Sequence, residues 1–278
     1  MSAGPHETPA SYAGGSGSPL VLLHGFTGSW RVWRPLLPAL TAHHAVFAPS
    51  LPGHAGAEAP APGFGGTIAE LVDGLEAKLD AAGIERAHLV GNSLGGWMAL
   101  ELGRRGRALS VLALSPAGGW RSPRDLKRVV GLMRGGRLMM ERGGAGLTPL
   151  LARPRFRRLM LRSVAEHGER VPPAAVAEML EEALGCVAFD AILTSIRTGT
   201  PLPAAPAADY PIRIAWSEKD RTIPLERYGR PLVANVPGAE LTILPGVGHV
   251  PMFDDPELVA RNILEVAAAA DAKAAVAA

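Results

Sequence analysis

The chain has one cysteine, Cys186, among 278 residues. A single thiol cannot close an internal disulfide, so the fold does not depend on oxidation. Cys186 lies in an apolar stretch without Cys/His metal spacing and reads as a small buried filler. Charge is also scarce. The formal net charge is +2, too small an excess to argue for a nucleic-acid partner. No stretch approaches about 18 uninterrupted apolar residues, so no membrane-spanning helix is expected. Residues 1–19 are rich in Gly, Ser, Pro and Ala. They lack a basic start followed by an apolar run, so they do not read as a secretory signal. A cytoplasmic protein is the expectation. Apolar residues are plentiful at 47%, enough for one sizeable α/β domain with room for an inserted subdomain.

Short apolar runs bounded by Gly, Pro and polar residues mark strands buried on both faces. The first is Leu20 to Leu23. Ala45–Ala48, Ala87–Val90, Ser110–Leu114, Ile212–Trp216 and Glu240–Leu244 follow the same grammar. Helical patterns lie between several of them. At Thr67 the spacing to Glu70 is that of a capping box. Ile68, Leu71, Val72, Leu75 and Leu79 then share one helical face, and Gly83 offers a left-handed stop. Strands alternating with helices predict a mostly parallel, doubly wound α/β sheet. The alternation breaks over 117–208, which reads as an inserted helical cap between two parts of a core, 1–116 and 209–278. The Ala-rich tail from Val266 reads as a last helix that frays.

Gly91-Asn92-Ser93-Leu94-Gly95 lies between a buried strand and a helix-compatible run. A five-residue Gly-x-Ser-x-Gly alone is weak, but strand before and helix after are its confirming context. A serine must project from a sharp turn to be reachable, and flanking glycines let strand and helix approach closely. The helix aims its first N–H groups where negative charge develops. Ser93 is thus the candidate nucleophile. It needs a base, and the base needs an orienting acid. Downstream stand only His167 and His249. His167 lies in a charged part of the insertion. His249 lies in a glycine-rich loop just past a strand, where sites form in such sheets, and is the candidate base. Asp220, in the loop after Ile212–Trp216, is the candidate acid. Glu218 is the alternative, while Asp190 and Asp209 do not directly follow a strand. The oxyanion donors are expected at the N–H groups of Leu94 and Phe26. His24 precedes Ser93 and reads as a brace for its loop.

These pieces resemble the α/β-hydrolase superfamily. The matching residues are His24-Gly25-Phe26, Leu51-Pro52-Gly53-His54, Gly91 to Gly96, Trp216 to Asp220, and Gly248-His249-Val250-Pro251 with Asp255-Pro256 after them. The resemblance runs from about Leu20 to Ala267. It implies an α/β-hydrolase sheet with a variable helical cap, as in capped carboxylesterases, monoacylglycerol-lipase-like enzymes and carbon–carbon bond hydrolases. Epoxide hydrolases and haloalkane dehalogenases of the superfamily use an aspartate nucleophile, against which Ser93 argues. His54 is implied to order its loop.

The first half of the cap is strongly basic: residues 120–162 carry twelve Lys/Arg against Asp125 and Glu141. The primary reading is a solvated helical face. The sharper ones are attraction of an anionic substrate, an acyl-carrier partner or an anionic membrane surface. Gly25, Trp30, Trp120 and Met133 are the candidate substrate-pocket residues. The expected function is Ser-His-Asp cleavage of a carboxylic ester, by an acyl-enzyme, on a small anionic or hydrophobic substrate. That chemistry needs no metal or organic cofactor, and no cluster of metal-ligand spacing occurs along the chain. Carbon–carbon bond hydrolysis and thioester hydrolysis are the alternatives within the fold. A non-catalytic binding protein is the alternative outside this chemistry.

Overall fold

The structure is a computed structural model and describes residues 9–204 and 206–277. Seven strands form one sheet: β1 (Ser11–Gly14), β2 (Ser18–Leu23), β3 (His44–Pro49), β4 (Ala87–Asn92), β5 (Ala108–Leu114), β6 (Ile212–Ser217) and β7 (Glu240–Leu244). Their order is β1-β3-β2-β4-β5-β6-β7. All pairings are parallel except that of β1 with β3. The six expected strands are present within two residues of their expected starts and ends. β1 was not expected: Ser-Tyr-Ala-Gly has little apolar content, and an edge strand half open to solvent leaves little periodic signal.

Side-chain alternation divides the core into two layers. Along β2, Val21 and Leu23 join one buried cluster while Leu20 and Leu22 join the other. The first layer is covered by α2 (Ile68–Ala81) and α3 (Leu94–Arg104), and the second by α1 (Leu37–Thr41) and α9 (Pro256–Ala277). Helix α2 starts as its capping box dictates. Glu70 N–H donates to Thr67 Oγ1 at 3.2 Å, and the Glu70 carboxylate accepts from Thr67 N–H at 2.9 Å. It stops at Gly83, whose φ is +69°, with Ile84 N–H closing on Leu79 O at 2.9 Å. Helix α9 continues through Ala277, with Val266, Ala267 and Ala270 buried. Ala278 lies outside the described residues.

Between β5 and β6 lie α4 (Pro123–Gly143), α5 (Pro154–Leu161), α6 (Pro173–Leu184) and α7 (Phe189–Thr198), with no strand among the described residues there. Part of this segment has its own apolar nucleus around Leu151, Leu161, Val171 and Val176. α8 (Arg230–Val233) precedes β7. None of the described helices is long and apolar enough to cross a membrane. Cys186 is free and buried, and burial raises its thiol to about 11. It is a filler, as its setting implies.

Candidate active site

The turn after β4 explains its own sequence. Ser93 has φ +56° and ψ −113°, a region that side chains avoid. The strain is held by contacts on both sides: Ser93 N–H donates to Leu114 O at 3.0 Å, and Ser93 O accepts from Trp97 and Ala117 N–H. A Cβ on Gly91 would lie 2.1 Å from Gly95 O, and one on Gly95 would lie 2.2 Å from Leu23 O. Neither position can carry a side chain unless the backbone parts. The turn thereby leaves Ser93 only partly buried. Leu94 opens α3, where the first N–H groups have no intrahelical acceptor.

Asp220 follows β6 and His249 follows β7, so both reach the sheet edge at which Ser93 stands. Asp220 Oδ2 lies 2.7 Å from His249 Nδ1. Its other oxygen accepts from Thr222 and Ile223 N–H at 2.9 and 2.8 Å. Both residues are almost fully buried, at 6% and 4% exposure. Glu218 does not reach His249. It is exposed, pairs with Lys219 and accepts from Gly246 N–H. His167 is half-buried in the segment between β5 and β6, 3.7 Å from Glu169.

Two residues that sequence reasoning missed lock this arrangement. Asn92 Nδ2 donates to His249 O at 2.9 Å and to Leu114 O at 3.2 Å, tying the serine turn to the histidine loop. Asp254 accepts from Gly248 N–H at 2.7 Å and from Glu166 and His167 N–H at 2.9 and 2.7 Å. It therefore joins the histidine loop to the segment inserted between β5 and β6. Val250 N–H adds a bond to Val164 O at 2.7 Å. No local pattern marks either residue, because apart from Gly248 the backbone groups they bind lie 22 to 157 residues away along the chain.

His24 braces the neighbouring loop. Leu51 N–H donates to His24 Nε2 at 2.9 Å, which leaves the ring proton on Nδ1, 2.8 Å from Gly25 O. Burial, with His54 beside it, holds His24 well below its ordinary pKa. Burial likewise lowers His54 from 6.5 to about 4. Both rings are neutral in the folded protein near neutrality. Between its two pKa values, the folded state binds fewer protons at His54 than the unfolded chain does. Its contribution is therefore complete above about pH 6.5 and falls as pH drops toward 4. Unfolding in urea should show stability lower by on the order of 2 kcal/mol at about pH 5 than at about pH 7.5 from His54 alone, with His24 acting in the same direction. A His54→Gln variant with the same slope would show that the loss arises elsewhere.

A cavity of about 810 Å3 lies between the sheet edge and the helices inserted between β5 and β6, and it reaches Gly25, Phe26 and Asn92. Ser93 and Leu94 face a smaller one of about 40 Å3, lined also by Trp120. Phe26, Met133 and Thr222 line both, so the two adjoin. Of the expected pocket residues, Gly25, Trp120 and Met133 thus lie at the cavities, and a Cβ on Gly25 would come within 3.4 Å of Ser93 Cβ. Trp30 does not. Its Nε1 donates to Pro9 O, Tyr12 packs on its ring, and it lines neither cavity. Trp30 opens a 3-10 helix, Trp30–Leu36, and its ring packs into the second core layer.

Six of the eight methionines line the large cavity: Met133, Met139, Met140, Met160, Met179 and Met252. Its polar corner holds Glu182, which accepts from Ser29 Oγ at 2.5 Å with Arg31 at 3.6 Å. Burial raises the Glu182 carboxyl. Two basic residues of the inserted segment act inside the protein. Arg157 is buried and donates to Leu151 O and Glu169 O. Arg137 stacks 4.6 Å from the Phe189 ring centre.

A mostly parallel sheet with a strained serine between strand and helix, and an Asp–His pair at the same edge, defines a hydrolase-type α/β fold. A family model described as the alpha/beta hydrolase family matches residues 20–262. The chain belongs to the alpha/beta hydrolase family. It is 35% identical over 191 residues to epoxide hydrolase EphH of Mycobacterium tuberculosis, a match covering 68% of this chain and 89% of that protein. Its fold is similar to that of a thermophilic esterase from Thermogutta terrifontis, with TM-score 0.70, 21% identity and 92% and 91% of the two chains covered. The enol-lactonase from Burkholderia xenovorans LB400 is similar at TM-score 0.69 and 19% identity, with 92% and 95% covered.

Proposed function

We propose that this chain is a serine hydrolase that cleaves carboxylic esters of apolar acids or alcohols. The observation that carries the reading is the buried Asp220–His249 pair, 2.7 Å apart, at the sheet edge that presents Ser93. In this mechanism Ser93 Oγ attacks the ester carbonyl and His249 Nε2 takes its proton. Asp220 holds the proton on Nδ1 and stabilises the imidazolium. The N–H groups of Leu94 and Phe26 receive the oxyanion. His249 then returns the proton to the departing alcohol, and a water attacks the acyl-enzyme by the same route. The cap, 117–208, acts as a lid over the site. The methionine-lined cavity favours bulky apolar groups, because unbranched thioether side chains adapt to irregular shapes.

The likeness to a protein named an epoxide hydrolase makes epoxide opening the second reading. Ser93 speaks against it on chemical grounds. A serine oxygen that opened an epoxide would be left as an ether, which water does not cleave, whereas a carbonyl substrate leaves a hydrolysable ester.

A panel of p-nitrophenyl esters, a thioester, a vinylogous diketone and an aryl epoxide separates these readings. Esters should be turned over, and a fluorophosphonate should label Ser93. Turnover of the diketone or the epoxide without ester turnover would replace the proposal. No turnover of any of them, with no labelling, would make this a binding protein.

A further inference from the structure

At the opposite end of the sheet, three residues far apart in sequence converge. His44 begins β3, His88 is the second residue of β4, and Asp271 lies on α9. One ligand atom from each lies within 4.8 Å of the others. His88 Nε2 is 3.1 Å from Asp271 Oδ1. Ser18 Oγ sits among them: it donates to Asp271 Oδ2 at 2.9 Å and lies 3.0 Å from His44 Nδ1 and 3.3 Å from His88 Nε2. We propose that His44, His88 and Asp271 form a binding site for one divalent transition-metal ion of the zinc class, with Ser18 or water as fourth ligand.

Three features support it. The first is spacing. Bonds of about 2.0–2.2 Å to nitrogen and oxygen put tetrahedral ligand atoms roughly 3.3 Å apart. The pairs at 2.9–3.3 Å already meet that separation. The remaining distances, those to His44, lie within 4.8 Å and close by adjustment of the His44 ring together with Asp271, whose side chain is 45% exposed and forms the way in. The second is ring orientation. His88 Nδ1 lies 2.9 Å from Ser110 Oγ, a hydroxyl able to accept Nδ1–H and so turn the Nε2 lone pair toward the centre. The third is readiness. Both imidazoles are buried, at 5% and 1% exposure, so the packing around them holds the rings in place before an ion arrives. Two imidazoles and one carboxylate suit zinc, cobalt or nickel rather than calcium or magnesium. His88 and Ser93 occupy opposite ends of β4, on the order of 16 Å apart at a strand's rise. The ion would therefore clamp α9 to the sheet without touching the proposed chemistry, and the inference does not rest on that reading.

The test is zinc titration of the chelator-stripped full chain by calorimetry. One equivalent should bind with micromolar or tighter affinity and raise the melting temperature. Asp271→Ala should weaken binding at least about tenfold. No binding up to about 1 mM, or equal binding by Asp271→Ala, would overturn the proposal. Cobalt in the wild-type protein provides a second readout that needs no variant. The intense visible bands of a four- or five-coordinate ion are expected, and the pale spectrum of a six-coordinate ion would overturn the assignment.

Discussion

Ser93→Ala should lower kcat on a p-nitrophenyl ester by about 10^4 to 10^6 while leaving the protein folded. The size follows from losing the only atom proposed to form the covalent bond. What remains is the binding cavity and the oxyanion donors, which keep a residual advantage over water of roughly 10^3 to 10^4. The fold should tolerate the change. Alanine keeps the Cβ that the backbone at φ +56° already accommodates, so no new strain enters. The bonds that hold the turn, from Ser93 N–H to Leu114 O and from Trp97 and Ala117 N–H to Ser93 O, are made by backbone. The measurement is steady-state turnover beside a thermal melt. A melt within a few degrees of wild type is expected. Turnover within about tenfold of wild type, or fluorophosphonate on another residue, would remove Ser93 from the mechanism.

Asp220→Asn should cost about 10^4 in kcat, although it changes one atom. In the native protein Oδ1 accepts from two backbone N–H groups and Oδ2 faces His249 Nδ1. Asparagine has one acceptor and one donor for these two sides. If its oxygen serves Thr222 and Ile223, its NH2 faces Nδ1 and drives the imidazole proton to Nε2. His249 then cannot take the proton of Ser93. If the amide flips, its NH2 meets two N–H donors and loses bonds in a buried place. The first arrangement keeps the fold and abolishes the base. Turnover together with the rate of fluorophosphonate labelling checks this: both should fall, with the melt near wild type. A variant that labels as fast as wild type would show that Asp220 does not govern the reactivity of Ser93.

Much of the fold is legible in the sequence because its signals are local. Leu20 to Leu23 reads as buried on both faces, and the two core layers account for every residue of it. Thr67, Glu70 and Gly83 mark the ends of α2 through bonds spanning a few residues. Gly91 and Gly95 mark the serine turn because their Cβ atoms have no room. Chain order then leaves few candidates for base and acid, and Asp220 and His249 do meet at 2.7 Å.

What the sequence alone determined is therefore what short-range backbone geometry and alternating burial can encode: six strands, the serine turn, and which loops end beside it. Tertiary structure decided the rest, because those contacts join residues whose separation along the chain carries no pattern. β1 exists only by pairing with β3. Trp30 is buried in the second layer and lines neither cavity. Asn92 and Asp254 matter through carbonyl and N–H groups supplied by other loops. His44, His88 and Asp271 show no metal spacing along the chain, yet the parallel sheet and the return of α9 bring them within 4.8 Å. A strand's register and a helix's docking are set by the whole core at once, and only there do distant residues become neighbours.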